Sequence, residues 1–234
     1  MRLDQPCWAI VPAAGVGSRM ATVKPKQYLS LLGRPLITYC IDVLLAHPAM
    51  SGVVVVLSED DEDWRHLPYA NHPNVLTAVG GVTRAHSVYA GMQALSDRVQ
   101  DSSWVLVHDA ARPGVTSAML DRLFAAVTGH AVGGLLGVPV VDTVKYVSMQ
   151  GDVERTISRE NVWLAQTPQI FRYQILLNAL RQCLQEGEII TDEASAIEFV
   201  GLQSKMVLGD RQNLKVTTAD DLETLKQYWL EETA

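Results

Sequence analysis

The stretch IVPAAGVGSRMATVKPKQYL, residues 10–29, joins an apolar run to a turn of small residues and then to a polar, basic segment. The run Trp8–Val11 has the length and composition of a buried strand, and Pro12 ends it. The small residues that follow let a ligand approach the backbone closely. A buried strand followed directly by such a turn is typical of an α/β protein that binds its ligand at the carboxyl edge of a parallel sheet.

The same stretch is free of acidic residues. Arg19, Lys24 and Lys26 lie within it, and no carboxylate occurs between Asp4 and Asp42, although the chain carries a formal net charge of −7. A cluster of cations in an acidic chain is self-repulsive unless it meets an anion. The pattern therefore predicts a site for a small anionic ligand.

The rest of the chain alternates short apolar runs with segments of helical periodicity, which predicts an α/β fold with a mainly parallel sheet and helices on both faces. The predicted strands are Trp8–Val11, Val53–Leu57, Val75–Ala78, Trp104–His108 and Leu135–Val138. The predicted helices are Pro35–Ala46, Ala85–Leu95, Ser117–Val127, Tyr173–Gln185 and Ala219–Trp229, with one more that begins near Thr191 as its N-cap.

Length and composition narrow the class of protein. The 234 residues are 48% hydrophobic and 19% charged, which favours one globular domain spanning residues 1–234. A pI near 5.3 argues against nucleic acid as a partner. No apolar run reaches the roughly 18 residues of a membrane span. Three widely spaced cysteines fit free buried thiols, so we expect a cytoplasmic protein without a membrane partner.

One segment breaks the alternation. Val144–Val147 and Val153–Ile157 flank the turn signal Gln150–Asp152, which predicts a β-hairpin. An isolated two-stranded hairpin is marginally stable in water. We therefore expect this arm, at about residues 141–160, to pack on another surface, and a second subunit is a natural candidate.

Two familiar phosphate-binding motifs fit the opening turn poorly. In the dinucleotide motif GxGxxG, Met20 would stand where the third glycine belongs, and the P-loop signature GK[ST] is absent. The remaining interpretation is a loop whose backbone N–H groups face phosphate oxygens, with Ala13, Ala14, Gly15 and Gly17 as its small residues.

Three more loops follow predicted strands and should share the same edge of the sheet. They are GGVTRAHS at 80–87, DAARP at 109–113 and PVVDT at 139–143. Together they supply glycine turns, cations, hydroxyls and a strand-end carboxylate, which suits a nucleoside triphosphate with Mg²⁺. Asp109 would be the metal ligand, although capping of the next element or pairing with Arg112 would also explain it. His108 is expected to be packed and neutral.

The order of these motifs resembles one family, the 2-C-methyl-D-erythritol 4-phosphate cytidylyltransferases. The matching blocks are Pro12–Met20, Pro25–Leu29, Gly80–Ser87, Val107–Pro113, Asp142–Lys145, Thr167–Gln169, Thr191–Ser195 and Leu214–Thr217. The resemblance implies a Rossmann-like fold of the nucleotidyltransferase type with a protruding β-arm, through which homodimers form. It also implies that CTP, with Mg²⁺, gives up CMP to the phosphate of a polyol phosphate, and that pyrophosphate is released.

Roles for individual residues follow from the same resemblance. Arg19 and Lys26 would be catalytic, stabilising charge on the α-phosphate. The substrate-binding residues would be Arg159, Lys215, Thr143, Thr167, Asp109 and Arg112, with Arg159 in a position to serve the neighbouring subunit. The nucleotide-binding residues would be Pro12, Ala13, Ala14, Gly15, Gly17, Gly81, Val82, Ser87 and Ala110.

One position departs from the family pattern, since Val82 stands where members often carry Asp after the two glycines. Selection of cytosine would then depend on backbone groups around Gly81 and on Ser87. Three other interpretations stay open at this stage. They are a cytidylyltransferase for another polyol phosphate such as ribitol 5-phosphate, a nucleotide-binding regulatory module without turnover, and an NAD(P)-dependent oxidoreductase.

Overall fold

The computed structural model describes residues 3–15 and 24–232, with side chains up to Leu230. Gly17 and Arg19, which belong to the predicted phosphate loop, lie outside the described residues. The strands are β1 Cys7–Pro12, β2 Ser30–Leu31, β3 Arg34–Pro35, β4 Met50–Leu57, β5 Val75–Val79, β6 Trp104–Val107, β7 Gly133–Pro139, β8 Val144–Val147, β9 Val153–Ile157, β10 Trp163–Arg172 and β11 Lys205–Leu208. The α-helices are α1 Leu36–Ala46, α2 Arg84–Gln93, α3 Ser117–Val127, α4 Tyr173–Glu186, α5 Glu193–Phe199 and α6 Ala219–Glu232.

Seven of these strands form one sheet in the order β11-β7-β10-β6-β1-β4-β5. All of its neighbouring pairs are parallel except those of β10, which runs antiparallel to both β6 and β7. The mainly parallel sheet predicted from the sequence is therefore confirmed. The carboxyl ends of β1, β4, β5, β6 and β7 all meet at one edge of this sheet.

The two faces of the sheet carry separate apolar cores. Along β1, Ala9 and Val11 pack on the side of α1 and α3, whereas Trp8 and Ile10 pack on the side of α2, α4 and α5. This alternation follows from the period of two in a strand. Both faces of β1 are thus buried, which explains why its sequence is continuously apolar.

A smaller apolar cluster ties the C-terminal part of the chain to the site edge. It joins Leu31 and Leu36 to Val216 and Leu225 of the C-terminal segment. The amide of Val216 also donates to the carbonyl of Ala111, at 2.8 Å. These contacts place Lys215, the residue before Val216, beside the loop that follows β6.

The central strand β10 was not predicted, and its proline is the reason. Pro168 removes a donor from the hydrogen-bond ladder, so a proline in a run argues against a central strand. The structure accommodates it in an irregularity, because the register of β10 against β7 shifts between Ala165 and Gln169. The pairing with β6 begins only at Gln169, after the proline.

The predicted hairpin is present with the expected bounds. β8 and β9 pair antiparallel in a separate two-stranded sheet, and the guanidinium of Arg155 lies 4.3 Å from the ring centre of Tyr146. Most of its apolar side chains are exposed, above all Met149 at the tip, while Val144 and Ile157 at its base are half-buried. Within the described chain, nothing covers this arm.

The prediction of Thr191 as an N-cap was wrong by one residue. The cap of α5 is Asp192, whose carboxylate accepts from the amide of Ser195 at 2.9 Å. The hydroxyl of Ser195 in turn accepts from the amide of Asp192, completing a capping box.

Candidate active site

A cavity of about 180 Å³ opens at the carboxyl edge of the sheet, between the ends of β1 and β6 and the start of α2. The described residues that line it are Pro12, Ala13, Ala14, Gly15, Lys26, Gln27, Gly81, Val82, Thr83, Arg84, Ser87, Asp109, Ala110, Ala111 and Lys215. This first cavity therefore collects residues from five separate segments of the sequence, as expected for a ligand site in an open α/β sheet.

The glycine turn before α2 forms one wall of the first cavity. The amide of Gly80 donates to the carbonyl of Leu57 at 2.7 Å, and the amide of Gly81 donates to Ser87 Oγ at 3.2 Å. A Cβ on Gly80 would meet the Cβ of Ala14 at 2.5 Å. The backbone of Gly80 therefore packs directly against the Ala14 and Ser87 side chains, a close approach that only glycine allows here. Val82 is almost fully exposed at the rim.

Gln27 fixes the loop after β1, a role the sequence did not reveal. Its side chain is buried, and its Nε2 donates to the carbonyl of Ala13 at 2.6 Å. Lys26 precedes it in the same short 3₁₀ helix, Lys26–Tyr28. The PKQYL block therefore has two effects: it places Lys26 at the first cavity, and through Gln27 it holds the small-residue turn after β1.

Three cations surround the buried carboxylate of Asp109 at the end of β6. Its Oδ1 lies 3.0 Å from Arg84 Nε, and its Oδ2 lies 2.8 Å from Lys215 Nζ and 3.6 Å from Arg112 Nε. Burial by itself would raise the pKa of Asp109, but Arg84 and Lys215 outweigh it and hold the pKa well below its usual range. Asp109 is therefore ionised and organises the positive charge of the site.

Arg84 joins the first cavity to helix α5. Its terminal nitrogens make a bidentate pair with Glu193, at 2.6 and 3.0 Å, while its Nε donates to Asp109. Glu193 is 1% exposed, and this burial raises its pKa while the Arg84 guanidinium acts in the opposite direction. All three guanidinium nitrogens of Arg84 are thus engaged by carboxylates.

The hydroxyl of Thr167 is part of an internal hydrogen-bond chain. His108 Nε2 lies 2.9 Å from the carbonyl of Arg112, so this nitrogen must carry the proton and Nδ1 must accept. Thr167 Oγ1 then donates to Nδ1 at 3.2 Å and accepts from the amide of Asp109 at 3.0 Å. Burial lowers the pKa of His108 to about 4, so the expectation of a packed neutral histidine is confirmed.

Two further cavities adjoin the first on the side of β10. A second cavity of about 230 Å³ shares Arg84, Asp109 and Lys215 with the first. Arg112 and Lys215 line both the second cavity and a third of about 530 Å³, which extends along 138–142 toward the base of the arm. Lys215 therefore stands where all three cavities meet, between the glycine-turn wall of the first cavity and the side of the arm.

The structure brings together most of the predicted site residues and leaves two apart. Lys26, Lys215, Asp109 and the described nucleotide-binding positions line the first cavity, and Arg112 and Thr167 line the second. The two left apart, Thr143 and Arg159, are exposed at the base of the arm. The guanidinium of Arg159 there hydrogen-bonds the carbonyl of Val141. Arg84 was expected only as one of the cations of the strand-end loops, and no role was predicted for Gln27, Glu193 and Gln169, although all four lie in the motif blocks.

The predicted metal role of Asp109 can be tested against its surroundings. In the described parts of the chain, no group of three or more His, Cys, Asp or Glu side chains is placed to hold a metal ion. Mg²⁺ commonly binds one or two carboxylates and completes its octahedron with substrate phosphates and water. Both oxygens of Asp109 already face Arg84, Lys215 and Arg112, so Asp109 could serve as one ligand of an incoming Mg²⁺ only by giving up one of these ion pairs, and it does not form a metal site by itself.

Comparisons with known proteins agree with this geometry. A family model described as 2-C-methyl-D-erythritol 4-phosphate cytidylyltransferase matches residues 7–232. An enzyme of that name from Pseudomonas putida strain F1 is 48% identical over 223 residues, which are 95% of each chain. One from Pseudomonas aeruginosa strain UCBPP-PA14 is 49% identical over 221 residues, 94% of each chain.

The fold agrees as well. The crystal structure of the 2-C-methyl-D-erythritol 4-phosphate cytidylyltransferase of Francisella tularensis matches with a TM-score of 0.83 and 34% identity, covering 96% of this chain and 99% of that one. The cations, the glycine turn and the strand-end carboxylate of this chain lie in one cavity within that fold. The chain therefore belongs to the 2-C-methyl-D-erythritol 4-phosphate cytidylyltransferase family.

Proposed function

We propose that the first cavity binds CTP and that CMP is transferred there to the phosphate of 2-C-methyl-D-erythritol 4-phosphate. The products are 4-diphosphocytidyl-2-C-methyl-D-erythritol, an isoprenoid precursor, and pyrophosphate. The observation that carries this proposal is the convergence of Lys26, Lys215 and the glycine turn on one cavity around the Asp109 carboxylate. A regulatory module would not need Lys215 at the junction with the neighbouring cavities, where an attacking group would enter.

The reaction needs no covalent intermediate on the protein. An anionic oxygen of the acceptor phosphate attacks the α-phosphorus, the bond from that phosphorus to the bridging oxygen breaks, and pyrophosphate leaves with the electron pair. The obstacle is repulsion between two phosphates. Lys26, with Arg19, would stabilise charge at the α-phosphate, and Lys215, with Arg112, would hold the acceptor in line.

The absence of acids between Asp4 and Asp42 then has a chemical reason, because a carboxylate there would add to the repulsion. When bound, Mg²⁺ would neutralise part of the charge of the triphosphate, and Asp109 is the side chain that would hold it. Asp109 also keeps Lys215 extended toward the junction of the cavities, at 2.8 Å.

An acceptor and nucleotide panel tests the activity. Each of 2-C-methyl-D-erythritol 4-phosphate, ribitol 5-phosphate and glycerol 3-phosphate is incubated with CTP and Mg²⁺, and pyrophosphate release is followed. We expect release with the methylerythritol phosphate at a kcat/KM at least 10²-fold above the other two, and a similar preference for CTP over UTP and ATP. Preference for ribitol 5-phosphate would refute the proposed acceptor while keeping the cytidylyl transfer.

We further propose that the arm makes a homodimer in which Arg159 serves the neighbouring site. Three observations support this: the exposed apolar surface of β8 and β9, the exposure of Arg159, and its separation from the residues that line the first cavity. A hairpin with an uncovered apolar face is poorly stable alone. The mass of the protein in sedimentation equilibrium should be that of two chains.

Mixed dimers test the placement of Arg159. Arg159→Ala and Lys26→Ala are each expected to be nearly inactive. If Arg159 acts across the dimer, subunit exchange between the two variants restores one complete site in every mixed dimer. Recovery of about a quarter of the wild-type activity per subunit is then expected. No recovery, in a mixture shown to exchange, would place Arg159 in its own subunit's site.

The cellular compartment in which the protein acts is also proposed here from its cysteines. All three cysteines, Cys7, Cys40 and Cys183, are buried free thiols in the structure. Free thiols of this kind are typical of reducing compartments, and we propose that the protein acts in the cytoplasm. In the described part of the chain, no helix combines the length and apolar character needed to cross a bilayer. Fractionation of cells that express the tagged chain would test the location.

A further inference from the structure

Glu193 is a buried carboxylate that helix capping does not explain. Asp192 and Ser195 complete the capping box of α5 between them, and Gln169 supports this turn by donating to Asp192 at 2.8 Å and accepting from the amide of Ala194 at 2.9 Å. Glu193 instead points at Arg84, 109 residues earlier in the chain. A carboxylate that is 1% exposed is costly to keep unless a specific partner needs it.

Arg84 is placed where a phosphate could attract it. It begins α2 directly after the glycine turn, lines both the first and second cavities, and keeps 28% of its side chain exposed. A guanidinium is the side chain best suited to bidentate contact with phosphate oxygens. In this structure, however, its two terminal nitrogens face Glu193 and its Nε faces Asp109.

We propose that Glu193 is a positioning residue that holds Arg84 away from the phosphates of the nucleotide and of the pyrophosphate product. Among the described residues of the first cavity, Lys26 and Lys215 are then the lysines that contact these phosphates. Pyrophosphate can leave because the Arg84 guanidinium does not bind it in a bidentate way. The same pair fixes Nε of Arg84 on Asp109, and thereby the orientation in which Asp109 holds Lys215. This inference rests on the proposed function, since it presupposes that a triphosphate occupies the first cavity.

The substitution Glu193→Gln isolates this role. The amide keeps the shape of the side chain but offers only one acceptor, so the bidentate pair is lost and Arg84 becomes available to a bound phosphate. We expect pyrophosphate to bind about tenfold more tightly, measured as a lower Kd by titration calorimetry and as a lower product-inhibition constant. The kcat should fall about tenfold while the KM for CTP stays the same or decreases.

A purely structural role would give the opposite pattern, because a loosened site binds every ligand more weakly. Glu198→Gln, on the exposed side of the same helix, is the matched control and should leave both constants unchanged. The double variant Arg84→Gln/Glu193→Gln removes both charges together and guards against misfolding of the single variant. In it the affinity for pyrophosphate should return to within about twofold of the wild type.

Weaker pyrophosphate binding in the double variant would overturn the inference, because it would mean that Arg84 contacts phosphate in the wild type. Unchanged or weaker binding in the folded Glu193→Gln variant would overturn it equally. Failure of the proposed function is distinguishable, since it would appear as a wild type that binds neither CTP nor pyrophosphate. A melting temperature and a circular dichroism spectrum for each variant establish that the compared proteins are folded.

Discussion

The ammonium of Lys215 lies 2.8 Å from Asp109 Oδ2, so a residue near the C-terminus and the end of the fourth strand of the central sheet share one ion pair. This ion pair depends on the position of the segment that carries Lys215. The hydrogen bond from the Val216 amide to the Ala111 carbonyl and the small apolar cluster that contains Leu31 and Leu225 hold that segment in place. An ammonium held in this way is ordered before any phosphate arrives. Pre-ordered charge of this kind lowers the barrier for phosphoryl chemistry.

Lys215→Ala should impair use of the acceptor more than use of CTP, because Lys215 stands at the junction of the first cavity with its two neighbours. We expect the kcat/KM for the polyol phosphate to fall about 10²-fold and the Kd for CTP to change less than fivefold. Steady-state kinetics with each substrate varied in turn would measure both. Lys226→Ala, which removes a half-buried cation that is paired with Glu223 and does not line the first cavity, is the control. A selective loss of CTP affinity would contradict the assigned role.

Lys26→Ala should slow turnover by about 10²–10³, equivalent to about 3–4 kcal/mol of transition-state stabilisation. Lys24 offers a matched control two residues away, because its ammonium lies 3.3 Å from Asp63 and it does not line the first cavity. Lys24→Ala should therefore retain turnover within threefold of the wild type. Single-turnover measurements with saturating CTP would compare the two variants, and equal losses in both would refute a specific role for Lys26.

The neutral state of His108 predicts a pH dependence of stability. Its pKa is about 4 in the folded chain and about 6.5 when exposed, so between these values the unfolded chain binds more protons than the folded one. The free energy of unfolding should therefore fall as the pH decreases from 6.5 to 4, by about 3 kcal/mol from this group.

Urea unfolding across this pH range would measure the effect. His108→Gln can still donate to the carbonyl of Arg112 but does not titrate, so its stability should lose much of this slope. Every other titratable side chain is common to both proteins, so the difference between the two pH slopes reports on His108. An identical pH slope in the variant and the wild type would show that His108 does not contribute.

Gly15, which lines the first cavity, and Gly80, which lies just behind its wall, should respond differently to substitution by alanine. A Cβ at Gly80 would lie 2.5 Å from the Ala14 Cβ and 2.8 Å from Ser87 Oγ, so Gly80→Ala should cost about 1–3 kcal/mol of stability through overpacking. A Cβ at Gly15 would have nothing within 4 Å and would point into open space. Gly15→Ala should therefore keep the melting temperature and weaken CTP binding only. Denaturant unfolding and CTP titration on both variants would check this contrast.

The sequence was sufficient for the elements whose signals are local. The structure confirms the strands predicted at β1, β4, β5, β6 and β7, the arm and most of the helices. Each of these elements has an apolar periodicity of its own in the sequence. β10 was missed because Pro168 marks it as a poor strand, and only the register shift against β7 makes room for that proline. β11 is short and mostly exposed, so its apolar pattern was too weak to detect.

The site was predictable where a motif carries a charge or a glycine turn, and less so where function depends on long-range pairs. The Arg84–Glu193 pair spans 109 residues, and no spacing rule connects them. Thr167 was expected as a substrate hydroxyl, and that role stays a prediction. The structure adds that its donor is already used by His108 and that its oxygen accepts from the Asp109 amide.

The reversed direction of β10 has an architectural consequence. Trp163 of β10 pairs with Pro139 of β7, so the excursion of residues 140–162 departs from and returns to the catalytic rim. A connection between two parallel neighbours would have had to cross to the far end of the sheet before returning. A change in the length or direction of this projection therefore also changes the rim of the site. If the arm forms the proposed dimer, assembly and substrate choice are expected to evolve together.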